Sequence, residues 1–569
     1  MKRSLFLILA GCELVLLAVL ISCEPGTPMP SPTPVLPTHT SSPVPLVPSP
    51  SATPEGATIR GTVINANSEP VPGATVRIQA TENKTLSASN GSFTLFGLRA
   101  EETVVVTAWF AGYYVGWAEA VPGSAPVTIT LKPYYTTDNP DYTWFSHEGA
   151  QGSLSCSHCM PSYNEWIHDA HSQSVVNPRF LTMYNGTDIH GNQSPLTRYG
   201  FSREYGRFPL RPDPNQPYYG PGYKLDFPET AGNCATCHVP AMTARPGLAY
   251  AADPNLADGI ELEGVFCEFC HKIGEVTLNP ETGLPYPNMP GVLSLRLYRP
   301  DPEQQLFFGN FDDVTRRVSY NSLYEQSQYC APCHFGVFWD TIVYNSFGEW
   351  LASPYSDSQT GKTCQNCHMP TVDYDYFVYP EKGGLIRDRS RIFSHRMPGA
   401  SDEKLLQNTA DLDVTVKRDG GLITVSVSVF NANAGHDIPT DSPLRQILLS
   451  VKALDKDGKP IPLKTGLLLP DWTGDYNNTP GIYFAKILEE LWTEVSPSGS
   501  YWMQTRIIED TRLPALETRN TEFVFEYTED SIVTIDVSLI FRRAFFDIMQ
   551  QKGWNTPDIL MEQKIIELP

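Results

Sequence analysis

The chain has 569 residues, too many for one ordinary core, so about three domains are expected. Its net charge of −22 excludes the basic faces that nucleic acid and anionic lipid surfaces select. An apolar fraction of 41% suits globular domains, while 50 prolines and 41 glycines imply long stretches of loop.

Met1-Lys2-Arg3 is a basic start, followed after Ser4 by an apolar run from Leu5 to Ile21. The pattern predicts an export signal over residues 1–22. Leu20-Ile21-Ser22-Cys23 resembles the end of a bacterial lipoprotein signal, in which the cysteine after a small residue carries the lipid. Leu9-Ala10-Gly11-Cys12 matches that pattern too, but the apolar stretch before it is short, so lipidation is expected at Cys23. An uncleaved membrane span is the alternative, and Glu13 inside the run weakens it. The body of the protein is therefore expected outside the cytoplasm, lipid-anchored and facing the periplasm or the cell exterior. Residues 23–56 are mostly Pro, Ser, Thr and Val, which predicts an extended tether. His39 lies there and is not expected to bind metal.

Residues 57–133 read as a small β-domain. Thr58–Ile64, Ala74–Ala80, Ser92–Phe96, Thr103–Trp109 and Val127–Leu131 are short β-rich runs, and Asn90-Gly91 predicts a hairpin turn. The stretch GTVINANSEPVPGATVRIQA, followed by NGSFTLFGL and AGYY, resembles the carboxypeptidase regulatory-like β-sandwich family. That resemblance implies a spacer or adhesion module and no catalysis.

Residues 134–405 show little periodicity but hold ten of the twelve cysteines. Long irregular stretches argue against a packed domain unless the chain wraps large cofactors. Four times it reads Cys-x-x-Cys-His: at Cys234, Cys237 and His238; Cys267, Cys270 and His271; Cys330, Cys333 and His334; and Cys364, Cys367 and His368. Two thiols three positions apart can add to the two vinyl groups of one haem, and the next imidazole then sits beneath the iron. Zinc sites and disulfides do not require a histidine after every second cysteine. Four c-type haems are expected. The first cysteines are spaced by 33, 63 and 34 residues, which suggests two haem pairs.

A fifth site departs from the pattern: Cys156-Ser-His-Cys159 is followed by Met160. Three readings stay open. A haem attached there takes Met160 as axial ligand; a remote histidine, His168 or His147, replaces the missing one; or there is no haem and the thiols form a disulfide. A fifth haem is the reading preferred, since both thiols are present. Outside the motifs and the tether, His147, His168, His171, His190, His395 and His436 are the candidate sixth ligands, with His190 the weakest. Trp144, Trp166, Trp339, Trp350 and Tyr324 are expected to pack on porphyrin faces.

These segments also carry a resemblance. CSHCMPSYNEWIHDAHSQS, GNCATCHVP, EGVFCEFCHKI, FGEWLASPY, GKTCQNCHMP and SHRMPG resemble the cytochrome c554-like multihaem family, and NANAGHDIPTDSPLR resembles a segment of the β-domain such proteins often carry. The resemblance spans roughly 140 to 545 and implies haem binding and electron transfer. It implies a distal ligand at His171, five after Trp166, and further ones at His395 and His436.

From about Ala410 the alternation returns: Ile423, Val425, Val427 and Val429, then Val533, Ile535, Val537 and Leu539. Residues 406–569 are expected to form a second β-sandwich with a helix near Arg543–Gln551 and a tail. The fold class is thus multidomain, an irregular, mainly α/loop haem region flanked by two β-sandwiches. The expected role is an electron carrier rather than an enzyme, because six-coordinate iron leaves no position for substrate. Its partners would be redox proteins or an extracellular acceptor. The alternatives are an oxidoreductase for a small nitrogen or sulfur compound at the Met160 site, and a homo-oligomeric haem filament.

Overall fold

The computed structural model describes residues 56–528 and 531–569. The export signal, Cys23 and nearly all of the tether lie outside the described residues. Among the described residues no helix is long and apolar enough to cross a membrane.

The first module has seven strands: β1 (Ala57–Asn65), β2 (Thr75–Ile78), β3 (Lys84–Leu86), β4 (Ser92–Leu98), β5 (Val104–Trp109), β6 (Gly116–Ala120) and β7 (Val127–Leu131). They form sheets ordered β4-β1-β7 and β3-β2-β5-β6. Val63, Val76, Val106, Ile129 and Leu131 fill the space between them, all fully buried. The pattern of β-branched runs missed β3 and β6 because both are short edge strands, where packing on one face asks little of the sequence. The turn at Asn90-Gly91 is not a hairpin. It carries the chain from β3 in one sheet to β4 in the other, and Gly91 alone takes a positive φ, 77°. A Cβ on Gly91 would meet the Val63 carbonyl oxygen at 2.5 Å, so the crossing needs glycine for space as well as for φ.

Residues 134–405 contain helices of eight residues or fewer and two-stranded ribbons. Among these helices are α1 (Leu154–Ser157), α2 (Pro178–Asn185), α3 (Ala235–His238), α4 (Cys267–His271) and α5 (Cys364–His368). Four of the five Cys-x-x-Cys segments thus sit on or overlap a turn of helix, which brings cysteines three apart onto one face. The segment at Cys330 is a turn instead, with His334 N–H donating to the Cys330 carbonyl at 3.2 Å. The first module is fastened to this region at two carboxylates: Arg77 donates to Asp312 at 3.0 Å, and Ala80 N–H donates at 2.8 Å to Asp313, itself held by Arg387.

The last part is a two-sheet sandwich of β8 (Asp411–Asp419), β9 (Leu422–Phe430), β10 (Gln446–Leu454), β11 (Leu463–Thr465), β12 (Gly481–Glu490), β13 (Thr505–Asp510), β14 (Thr518–Glu526), β15 (Val533–Arg542) and β16 (Ile559–Leu568). The sheets are ordered β8-β9-β14-β11 and β13-β12-β10-β15-β16. The alternating residues of β9 and β15 face inward, with Ile423, Val425, Val533, Ile535, Val537 and Leu539 fully buried. Val425 lies opposite Phe523 on β14, so the two aromatic and β-branched rows close the core. Helix α6 (Phe546–Lys552) falls where a helix was expected. The expected tail is instead β16, paired along its length with β15. Exposed Gln563, Ile565 and Glu567 alternate with half-buried Lys564, Ile566 and Leu568, so both faces mix apolar and charged residues, as an edge strand tolerates, and the periodicity is hidden.

Candidate haem-binding centre

All ten cysteines of the five Cys-x-x-Cys segments are unbridged thiols. A disulfide between Cys156 and Cys159, one of the three readings for that site, is therefore absent. Nor does any group of three or more His, Cys, Asp or Glu among the described residues converge on a bare metal ion.

Thiols of different segments lie against one another: Cys156 against Cys267, Cys237 against Cys333, and Cys330 against Cys364. The Cys270 carbonyl accepts the Tyr329 hydroxyl at 3.0 Å, tying the segment at Cys267 to the one at Cys330. This neighbourhood differs from the two pairs inferred from spacing. Cys330 and Cys364 do adjoin, but the segments at Cys234 and Cys267 share no thiol contact. Gly291 shows how tightly two segments are joined. Its N–H donates to the Pro332 carbonyl at 2.7 Å, and a Cβ there would meet Cys237 Sγ at 2.9 Å.

The histidines carry the geometry. Three motif imidazoles face a second imidazole from a distant part of the chain. His271 faces His395 with ring centres 6.4 Å apart, His368 faces His436 at 6.4 Å, and His334 faces His171 at 6.3 Å. Two metal–imidazole bonds of about 2 Å, each extended by the half-width of a ring, put trans imidazole centres about 6 Å apart. The three pairs fit one iron between each.

Ring orientation is fixed from behind. His238 Nδ1 donates to the Ser174 carbonyl at 2.9 Å, His271 to Phe308 at 2.6 Å and His368 to Pro398 at 2.7 Å. His395 donates to Phe393 at 3.2 Å, His436 to Asp437 at 2.9 Å, and His171 to the Asp169 carboxylate at 2.6 Å. An anchored Nδ1–H leaves Nε2 as the free lone pair, the arrangement metal-ligating histidines use. Burial pushes His271 and His368 down to about 4, so both imidazoles are neutral and able to bind metal near neutral pH. His436 is presented by a loop of the sandwich, held where fully buried Asn431 donates to the His436 carbonyl at 2.9 Å.

The fourth motif histidine differs. His238 is stacked face to face by Phe180, ring centres 3.8 Å apart and planes within 6°. No histidine ring among the described residues faces it. His147, His158, His168 and His190 are exposed, and none makes ring contact with a motif histidine. His147 Nε2 lies 3.4 Å from Glu148 instead. At the departing site Met160 is half-buried, its N–H donating to the Cys156 carbonyl at 3.0 Å. His147 N–H donates to Ser155 Oγ at 3.1 Å, one residue before Cys156, while no ring contact or hydrogen bond among the described residues ties His168 to the site.

Other features also suit haem. Arg179 Nη2 and Arg543 Nε are buried without a partner, and such donors suit carboxylates like the propionates of haem. Trp166 is buried and donates to the Val265 carbonyl at 2.9 Å, Trp144 packs edge-on to Phe266, and Tyr324 stacks beside His271. Trp350 is buried and donates to the Lys362 carbonyl. Trp339 is 58% exposed and donates to the Trp502 carbonyl at the edge of the sandwich. A cleft of about 910 Å³ lies elsewhere, between residues 195–226 and the sandwich, and no motif residue lines it.

Sequence reasoning missed the pairing of the histidines and the groups behind them. No local signal carries the pairing, because each pair joins segments far apart in the chain, whereas Asp169, Phe393 and Asp437 lie within two residues of the histidines they back.

Residues 58–132 match the carboxypeptidase regulatory-like domain. No curated protein matches the chain. Among solved structures the chain is similar to a penta-heme cytochrome c552 from Thermochromatium tepidum, with a TM-score of 0.50 and 18% identity over 73% of this chain and 98% of that one. The likeness is one of fold. A human CEP192 ASH/PapD-like domain matches with a TM-score of 0.12 and 5% identity over 28% of this chain and 84% of that one, too slight to argue from.

Proposed function

We propose that this chain is a multihaem c-type cytochrome that carries electrons outside the cytoplasm, of the cytochrome c554-like kind. The observation that carries the reading is the set of three imidazole pairs with centres 6.3–6.4 Å apart, each built on a Cys-x-x-Cys-His segment. Haem, when bound, supplies a one-electron iron couple. The chain supplies the rest. The paired cysteines would attach the cofactor, His238, His271, His334 and His368 would hold it, and His395, His171 and His436 would serve as second ligands for three of the four. Ligands on both sides shut out substrate, which suits transfer to a redox partner or an extracellular acceptor. The penta-heme neighbour supports the same reading by its fold. Anchoring through lipid on Cys23, with the tether holding the body off the membrane, belongs to this proposal.

Intact mass with haem-stained electrophoresis tests it. Four or five covalent haems and a six-coordinate low-spin spectrum are expected, and a haem-free mature protein would sink the proposal. The same mass decides the site at Cys156 and Cys159: a count of four removes it and five establishes it.

A second reading is favoured at one place only. Among the described residues no histidine ring faces His238 as one does in the three pairs, and the side opposite it is the place for a small nitrogen or sulfur compound, or for a histidine from a second copy in a filament. A high-spin paramagnetic resonance signal with turnover of nitrite or hydroxylamine supports the first. Filaments in electron micrographs support the second.

A further inference from the structure

The seven histidines of the centre differ in what stands behind the ring. Five donate Nδ1–H to backbone carbonyls: His238, His271, His368, His395 and His436. The remaining two, His171 and His334, face each other, and each is backed by a carboxylate. His171 donates to Asp169 Oδ1 at 2.6 Å, and His334 Nδ1 lies 3.8 Å from Asp441 Oδ1. The first is a short charge-assisted hydrogen bond; the second is an ion-pair distance, too long for a hydrogen bond.

The two carboxylates are differently compensated. The Asp169 side chain is 3% exposed, and His171 is its only ion-pair partner among the described residues. Asp441 also lies 3.7 Å from Arg445 Nη2, which offsets part of its charge. A carboxylate accepting from a ligating imidazole makes that ligand more basic. A more basic ligand favours the oxidised, more positive iron, and second-shell hydrogen bonding of this kind is one of the ways a protein sets haem potential. The site is also central, since its thiols Cys330 and Cys333 have those of Cys364 and Cys237 as neighbours.

We infer that Asp169 and Asp441 are positioning residues that make the His171–His334 centre the most reducing of the three histidine-paired centres. The inference rests on the proposed function. It places the highest energy for an added electron in the middle of the array, with easier centres on either side.

Spectroelectrochemical titration of the mature protein, with haem counted by mass, tests this. Asp169→Asn keeps the shape and an acceptor but removes the charge. One reduction step is expected to move upward, its equilibrium changing about tenfold, or 59 mV for a one-electron couple. Asp441→Asn is expected to move the same step by less, since its carboxylate is farther away and shared with Arg445. Asp169→Glu restores the charge and is expected to return the step toward its original position. His171→Met, which changes a ligand of that centre alone, identifies the step. If no step rises in either asparagine variant, or the rising step is not the one His171→Met moves, the inference is overturned. If Asp169→Asn does not mature, Asp441→Asn decides alone by the same criterion. A wild type without haem would instead overturn the proposed function.

Discussion

The C-terminal sandwich and the region of the motifs bury their residues by different means. The sandwich has one continuous apolar core running from Leu406 to Met561, with Phe523 and Phe525 fully enclosed. Between residues 166 and 350 the apolar residues fall into small separate clusters, apart from Met183, Tyr184 and Tyr223, which pack with Trp502, Phe545 and Trp554 of the sandwich side. What is buried there includes charge: Lys272 is fully enclosed beside Glu268, and Asp313 beside Arg387. The contrast teaches that the sandwich can hold itself together, whereas the motif region is arranged around groups that its own side chains do not supply. In the proposed function those groups are the haems.

The largest expected effect comes from withholding the haems. Alanine at all eight cysteines of the four complete motifs should leave residues 134–405 open to protease while the sandwich stays resistant, because binding and folding are coupled. Limited proteolysis with mass mapping reads this. A motif region that stays resistant without haem would erase the contrast drawn above.

Next in size is damage to the self-sufficient side. Phe523→Ala empties a fully buried site and should cost about 3–5 kcal/mol, read as a lower denaturation midpoint with the haem spectrum unchanged before unfolding. Haem loss ahead of sandwich unfolding would show the two regions to be one unit.

A smaller effect lies at the seam between them. Burial raises the Asp226 carboxyl from 3.8 to about 6, though Thr197 and Trp502 of the sandwich donate to it. The folded state holds this proton more tightly than the unfolded state, so stability falls as pH rises from about 4 to about 6 and stays lower above that. Asp226→Asn should flatten this slope and add about 2 kcal/mol at pH 7. Parallel urea curves at pH 4 and 7 check it, and an unchanged slope would remove Asp226 as its cause.

The smallest effect on stability should come from His436→Ala, where the sandwich reaches into the motif region. Haem count should hold while one haem turns high-spin in paramagnetic resonance, since His368 loses the imidazole it faces. No new high-spin signal would show that His436 does not close that site.

The sequence by itself determined what is local. Cysteines three apart with a histidine next are a complete attachment site within five residues, and the alternation of Ile423, Val425, Val427 and Val429 announces a half-buried strand. The sandwich's last strand escaped because β16 is an edge that carries apolar and charged residues on both faces. Only the tertiary structure decided which histidines pair, that His238 meets Phe180, and that Asp169 and Asp441 stand behind one pair. The pairings, the Phe180 contact and the place of Asp441 join segments distant in the chain, and a distance across a fold leaves no period, spacing or composition in the sequence to read; Asp169 is only two residues from His171, but the fold alone sets its carboxylate behind the ring. The four motifs were legible because their chemistry is closed within one turn; the wiring between them was not, because it is made of contacts.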